Sequence, residues 1–161
     1  MSGEPTCGSD SEVTLRVLRA VLPVMTTPGD VETSRRVLVV EDNEDIRLLL
    51  NLWLRDDPRC LSVTEADSVD MALAATRGAT SYDAVVCDFM LGDGTAADCL
   101  RQLRKAWPQA RIVVYTASMR VAREAGVLEM GADLVVEKVS VVVEDVVELV
   151  LGETLESVSA A

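Results

Sequence analysis

The sequence predicts an α/β fold in which five strand–helix units form one parallel sheet with helices on both faces. Three observations predict it. Short apolar runs recur and end on polar or charged residues, as buried parallel strands do at their C-terminal rim. Segments with helical spacing separate them, most closed by Gly or Pro. The composition (161 residues, 49% hydrophobic, 26% charged) suits one domain with a good core and short appendages.

The elements run as follows. Met1 to Ser11 is rich in Ser, Gly, Pro and acid and reads as disordered. Leu15, Leu18 and Leu22 are spaced for a short helix that Pro23 ends, and Thr26 to Asp30 reads as a linker. Residues 1–34 are therefore expected to be a disordered or partly helical extension. Val37 to Val40 is the first strand and ends at Glu41-Asp42. Glu44 to Arg55 is a helix with Ile46, Leu49, Leu50 and Trp53 on one face. Leu61 to Ala66 is the second strand. Ser68 caps a helix to Arg77, closed by Gly78. Asp83 to Cys87 is the third strand and delivers Asp88. Thr95 to Trp107 is a helix closed by Pro108, and Arg111 to Tyr115 is the fourth strand, ending at Thr116. Arg120 to Met130 is a helix closed by Gly131. Leu134 to Val136 is the fifth strand, ending near Lys138, and Ser140 caps a last helix to about Leu151. The domain spans 35–151, and 152–161 is a short polar tail. Short connections fit a flavodoxin-like (βα)5 doubly wound sheet of strand order 2-1-3-4-5.

In that order the strand tops bring Glu41, Asp42, Asp88, Thr116 and Lys138 to one cleft, where open α/β sheets bind ligands. Gathered carboxylates repel unless a cation joins them. An oxygen-only ligand set suits Mg²⁺, which bridges carboxylate to phosphate. The chain has no His, which excludes a His nucleophile, phospho-carrier or metal ligand. A carboxylate can itself accept a phosphoryl group. The plainer alternatives are that Asp88 caps its loop, that Glu41 and Asp42 sit at a helix N-terminus that favours acids, and that Lys138 is a solvated charge. Asn43 reads as a helix cap, and Asp93 as a turn acid.

Residues 35–151 resemble the receiver domain of two-component response regulators. The matching pieces are Val39-Val40-Glu41-Asp42-Asn43, Asp88-Phe89-Met90-Leu91, Thr116-Ala117, and Gly131-Ala132 followed by Lys138. The resemblance implies that Asp88 is the phosphoacceptor. It implies that Asp42 binds Mg²⁺ directly, Glu41 through water, and Met90 through its backbone carbonyl. Thr116 would be the switch hydroxyl, Lys138 its salt-bridge partner, and Ala117 the small residue that admits the phosphodonor. It further implies a histidine kinase or phosphotransfer protein as donor, meeting Ile46 and Leu49. A protein target would dock on the face made by helix 4, strand 5 and helix 5, with a homodimer there as an alternative. The expected role is a stand-alone phospho-accepting regulator rather than an enzyme in the usual sense.

Three positions depart from the family pattern. Val139 stands where Pro usually follows the lysine. Val135 replaces the usual strand-5 aromatic. Gly92-Asp93-Gly94 replaces a longer Pro-containing loop, which is expected to loosen it. Val135 and Val139 keep open a receiver-like interaction module without phosphorylation. An Asp-nucleophile phosphohydrolase would want a second Asp where Met90 stands.

A net charge of −12 argues against nucleic-acid binding. No run of about 18 apolar residues points to a membrane span. The acidic N-terminus is not a secretory signal, and four Cys without a CxxC pair read as free thiols, so the expected location is the cytoplasm. Cys87, beside Asp88, is read as a buried thiol rather than a redox handle.

Overall fold

The computed structural model describes residues 34–152. The expectations for the N-terminal extension and the polar tail lie outside these residues, save at Ser34 and Gly152. The main sheet contains β1 (Arg35–Val40), β2 (Cys60–Ala66), β3 (Ala84–Cys87), β6 (Arg111–Thr116) and β7 (Leu134–Glu137), and every pairing in it is parallel. Its order is β2-β1-β3-β6-β7, which is the expected 2-1-3-4-5 with a small ribbon inserted. That ribbon pairs β4 (Met90–Leu91) with β5 (Gly94–Thr95). The helices are α1 (Glu44–Asp56), α2 (Val69–Ala75), α3 (Leu100–Ala106), α4 (Met119–Glu124) and α5 (Val143–Leu151).

Alternation along the central strands divides the core in two. Leu38, Val40, Val85, Cys87, Ile112 and Val114 face one side, where Ala72, Leu100, Leu103 and Ala122 cover them. Val37, Val39, Val86 and Val113 face the other, under Leu50 and Leu54 of α1 and Val146, Leu149 and Val150 of α5. Central strands buried on both faces read as continuous apolar runs for this reason. The wide apolar stripe of α5 is mostly core: Val146, Val147, Leu149, Val150 and Leu151 are all buried.

Several expected boundaries move. The helix expected from Thr95 instead begins as a 3₁₀ turn (Ala96–Asp98), and α3 follows at Leu100. Asp98 accepts from the Thr95 N–H at 2.7 Å and its hydroxyl at 3.1 Å, which holds that first turn. The helix expected over 120–130 stops at Glu124. Gly126 takes φ of +72° just beyond, a left-handed step that ends a helix cheaply only at glycine. The helix after Ser68 likewise stops at Ala75 rather than Arg77. Ser68 does cap it, accepting from the Met71 N–H at 3.3 Å. Ser140 is not the cap of α5: that place belongs to Val142, which has no side chain to offer, and the Ser140 hydroxyl lies 3.4 Å from Glu137 Oε2.

The loop after Asp88 is not loosened. Asp93 reaches across to α2 and accepts from the N–H groups of Val69 and Asp70 at 2.8 and 3.0 Å. Those two bonds hold its carboxyl below the usual range. Asp93 therefore ties the loop back to α2 rather than adding a free acid to the site. No cis peptide occurs among the described residues, so Val139 follows Lys138 through a trans bond.

Candidate functional site

Three parallel strands end at one rim, and each carries its polar residue just past its last apolar position. β1 delivers Glu41 and Asp42, β3 delivers Asp88, and β6 ends on Thr116. The Asp88 N–H donates to Val40 O at 2.8 Å, so the two strand ends stay in register one residue beyond the ladder. Carboxylate oxygens of Glu41, Asp42 and Asp88 lie within 4.8 Å of one another. Glu41 is 1% exposed and Asp88 8%, while Asp42 faces solvent.

Lys138, just past β7, reaches back over this cluster. Its Nζ donates to Asp88 Oδ2 at 2.6 Å and to Glu41 Oε2 at 2.7 Å. It also lies 5.6 Å from the centre of the Tyr115 ring. Burial alone would lower the ammonium, but the hydrogen bonds to Asp88 and Glu41 outweigh it and hold Lys138 above its usual value. Burial pushes the Glu41 carboxyl up to about 7. The Lys138 hydrogen bond opposes that rise and the Asp88 charge adds to it. Two buried acids sharing one lysine make a site that favours a further cation. The donor set is carboxylate oxygen throughout, so the residues present fit a hard divalent ion.

The other expected residues fall around this centre. The Met90 N–H donates to Asp88 Oδ1 at 3.3 Å and its side chain is exposed. The Thr116 hydroxyl is buried at the rim, where it accepts from the Ser118 N–H at 3.2 Å and makes no bond to Asp88. The Lys138 N–H donates to Thr116 O at 2.8 Å, which links the last two rim residues through the backbone. A Cβ placed on Gly92 would lie 3.8 Å from Asp42 Oδ2, so the ribbon loop walls one side of the site. Asn43 caps α1, accepting from the Ile46 N–H at 3.1 Å. Cys87 and Cys99 are both fully buried. The Cys99 contact, with burial, pushes the Cys87 thiol up, which keeps it protonated and inert.

Sequence reasoning missed two groups. Tyr115 is buried beside Thr116 and its hydroxyl donates to Val141 O at 3.1 Å, bracing the loop that follows Lys138. Arg47 stands behind the acid pair and donates to the carbonyls of Glu41 and Asp42. Its place five residues after Asp42, one turn into a helix with an acidic first turn, was the one signal available.

The family model of the response regulator receiver domain matches residues 37–150. Among curated proteins none matches this sequence. Solved structures do. A response regulator protein from Burkholderia pseudomallei, with a phosphorylated aspartic acid, calcium ion and citrate, is 28% identical with a TM-score of 0.64. The match covers 72% of this chain and 66% of that one, so this chain spans just under two thirds of that relative's length. A LuxR-family two-component response regulator from Aurantimonas sp. is 26% identical, with a TM-score of 0.62 and coverage of 71% and 81%. A CheY-like receiver domain protein from Methanospirillum hungatei, at 22% identity and a TM-score of 0.63, covers 71% of this chain and 88% of its own, and shows the likeness of fold.

Proposed function

The chain belongs to the receiver domain family of response regulators, phospho-accepting signalling modules rather than enzymes in the usual sense, and from that premise we propose that Asp88 is its phosphoacceptor. The observation that supports this reading is the pair of short bonds from Lys138 to Asp88 and Glu41 inside a three-carboxylate cluster. Such a cluster spends its attraction on a positive charge, which is what a phosphoryl donor's counter-ion brings.

Glu41, Asp42 and Asp88 would hold Mg²⁺, with the Met90 carbonyl as a further oxygen. When bound, the ion neutralises charge between carboxylate and phosphoryl oxygens. An Asp88 carboxylate oxygen attacks the phosphorus in line, and the donor leaves with the bonding electrons. Lys138 already holds Asp88 and stays to pair with a phosphoryl oxygen. Thr116 exchanges its bond from Ser118 for one donated to the phosphoryl group. By the family's pattern the donor is a phosphohistidine on another protein, and this sequence, without a His, cannot supply its own. We read residues 35–151 as one phospho-accepting domain. Its exposed Val139 and Val142 extend an output face made by α4, β7 and α5. The described residues contain no helix long and apolar enough to cross a membrane. We place the protein in the cytoplasm, where phosphohistidine donors are made.

Incubation with a small acyl phosphate and Mg²⁺, followed by intact mass, tests the reading. Wild-type protein gains one phosphoryl group. Asp88→Asn gains none, and neither does wild type with the metal chelated. An adduct that survives Asp88→Asn refutes the assignment.

A further inference from the structure

We propose that Arg47 is a positioning residue for the metal site, holding the backbone that carries Glu41 and Asp42. This inference rests on the reading of those acids as Mg²⁺ ligands. β1 ends at Val40, so the carbonyls of Glu41 and Asp42 lie past the strand ladder and must find donors elsewhere. Arg47 supplies them: its Nη1 lies 2.8 Å from Glu41 O and 3.4 Å from Asp42 O. Rotating either peptide unit would swing a carboxylate away from Asp88. One side chain thus fixes both.

The guanidinium is itself fixed from two elements. Its Nε donates to Glu65 Oε2 on β2 at 3.3 Å, and Asn51, one turn further along α1, donates to Glu65 Oε1. Glu65 pairs with Val39 across the sheet, so it sits level with the end of β1. The side chain of Arg47 is 18% exposed and its bond to Glu41 O is part-buried, while its Glu65 partner is 41% exposed and stays open to water. The simpler role for Arg47, an ion pair stapling α1 to β2, explains the Glu65 contact. It does not explain a guanidinium nitrogen spent on the two carbonyls of the acid pair. Removing a group that orients metal ligands from behind typically costs about 10- to 100-fold in metal affinity.

Calorimetric titration of the folded protein with Mg²⁺ alone separates the roles, with melting temperature recorded in Mg²⁺-free buffer. Arg47→Met is expected to raise the Mg²⁺ dissociation constant about tenfold. Arg47→Lys follows it, because an ammonium lacks the planar fork that reaches two carbonyls and Glu65 together. Glu65→Gln loosens the fork and gives a smaller rise, and it serves where Arg47→Met does not fold. Variants that lose melting temperature yet bind Mg²⁺ as wild type does would overturn the inference. So would full recovery in Arg47→Lys, which would make charge rather than geometry the cause. Wild-type protein that binds no Mg²⁺ would overturn the metal reading itself and this inference with it.

Discussion

The two sides of the rim are built differently. On the β1–β3 side, side chains close the starts of α1 and α2. Asn43 accepts from the first turn of α1, Ser68 from that of α2, and Asp93 adds two more bonds to α2. On the β6–β7 side neither helix has such a cap: Ser118 and Val142 make no side-chain bond at the starts of α4 and α5. α4 is only six residues long, and Val139 and Val142 stand 83% and 59% exposed. Orphan N–H groups at a helix start cost stability when left to water. Fewer side-chain bonds therefore hold the starts of α4 and α5 than those of α1 and α2. Under the proposed reading, keeping the acceptor site fixed while the outer face changes would use that asymmetry.

Lys138 is the seam between the two sides, so breaking it should have the largest effect. Lys138→Met leaves two buried carboxylates without their cation and is expected to cost about 3 kcal/mol in denaturant unfolding. Mg²⁺ should return part of that. An unchanged midpoint would mean the two sides are not joined there.

Glu41 gives the seam a pH dependence of comparable size. Its folded pKa of about 7 lies above the ordinary 4.5, so between those values the folded protein holds a proton that the unfolded chain has released. Its contribution is full below pH 4.5 and lost as pH rises through 7, amounting to no more than about 3 kcal/mol. Glu41→Gln should remove that slope, and wild-type melting temperature should gain more from Mg²⁺ at pH 8 than at pH 5. A wild-type slope that persists in Glu41→Gln belongs to another group.

The caps test the asymmetry itself. Asn43→Ala should lose about 1 kcal/mol. Val142→Ser should gain about 0.5 kcal/mol by supplying the missing cap. Equal losses on adding or removing a cap at both places would erase the distinction.

How far the sequence carried follows the same division. The acid at the end of each apolar run was legible, because strand burial and rim chemistry are written into consecutive residues: Val37 to Asp42 and Ala84 to Asp88. The sheet order followed from short connections. Helix ends were less legible. Gly126 at positive φ stops α4, although Gly131 five residues later looks equally able to do so. Asp93 looked like a turn acid because its partners, the N–H groups of α2, lie more than twenty positions away. Arg47 was hard to read for a different reason: its partners are close by, but they are the backbone carbonyls of Glu41 and Asp42, which no residue pattern displays. Ser140 misled because a good capping residue was present two positions before Val142, the real cap of α5.

The central claim is that Asp88, and no other carboxylate of the cluster, takes the phosphoryl group. Treating the acyl-phosphate-labelled protein with borohydride reduces a phosphoaspartate to homoserine, which peptide mass spectrometry then places. The account predicts homoserine at position 88 only, and none when Mg²⁺ is withheld. Homoserine at position 42, or an unmodified residue 88 in protein that carries the phosphoryl group, would contradict it.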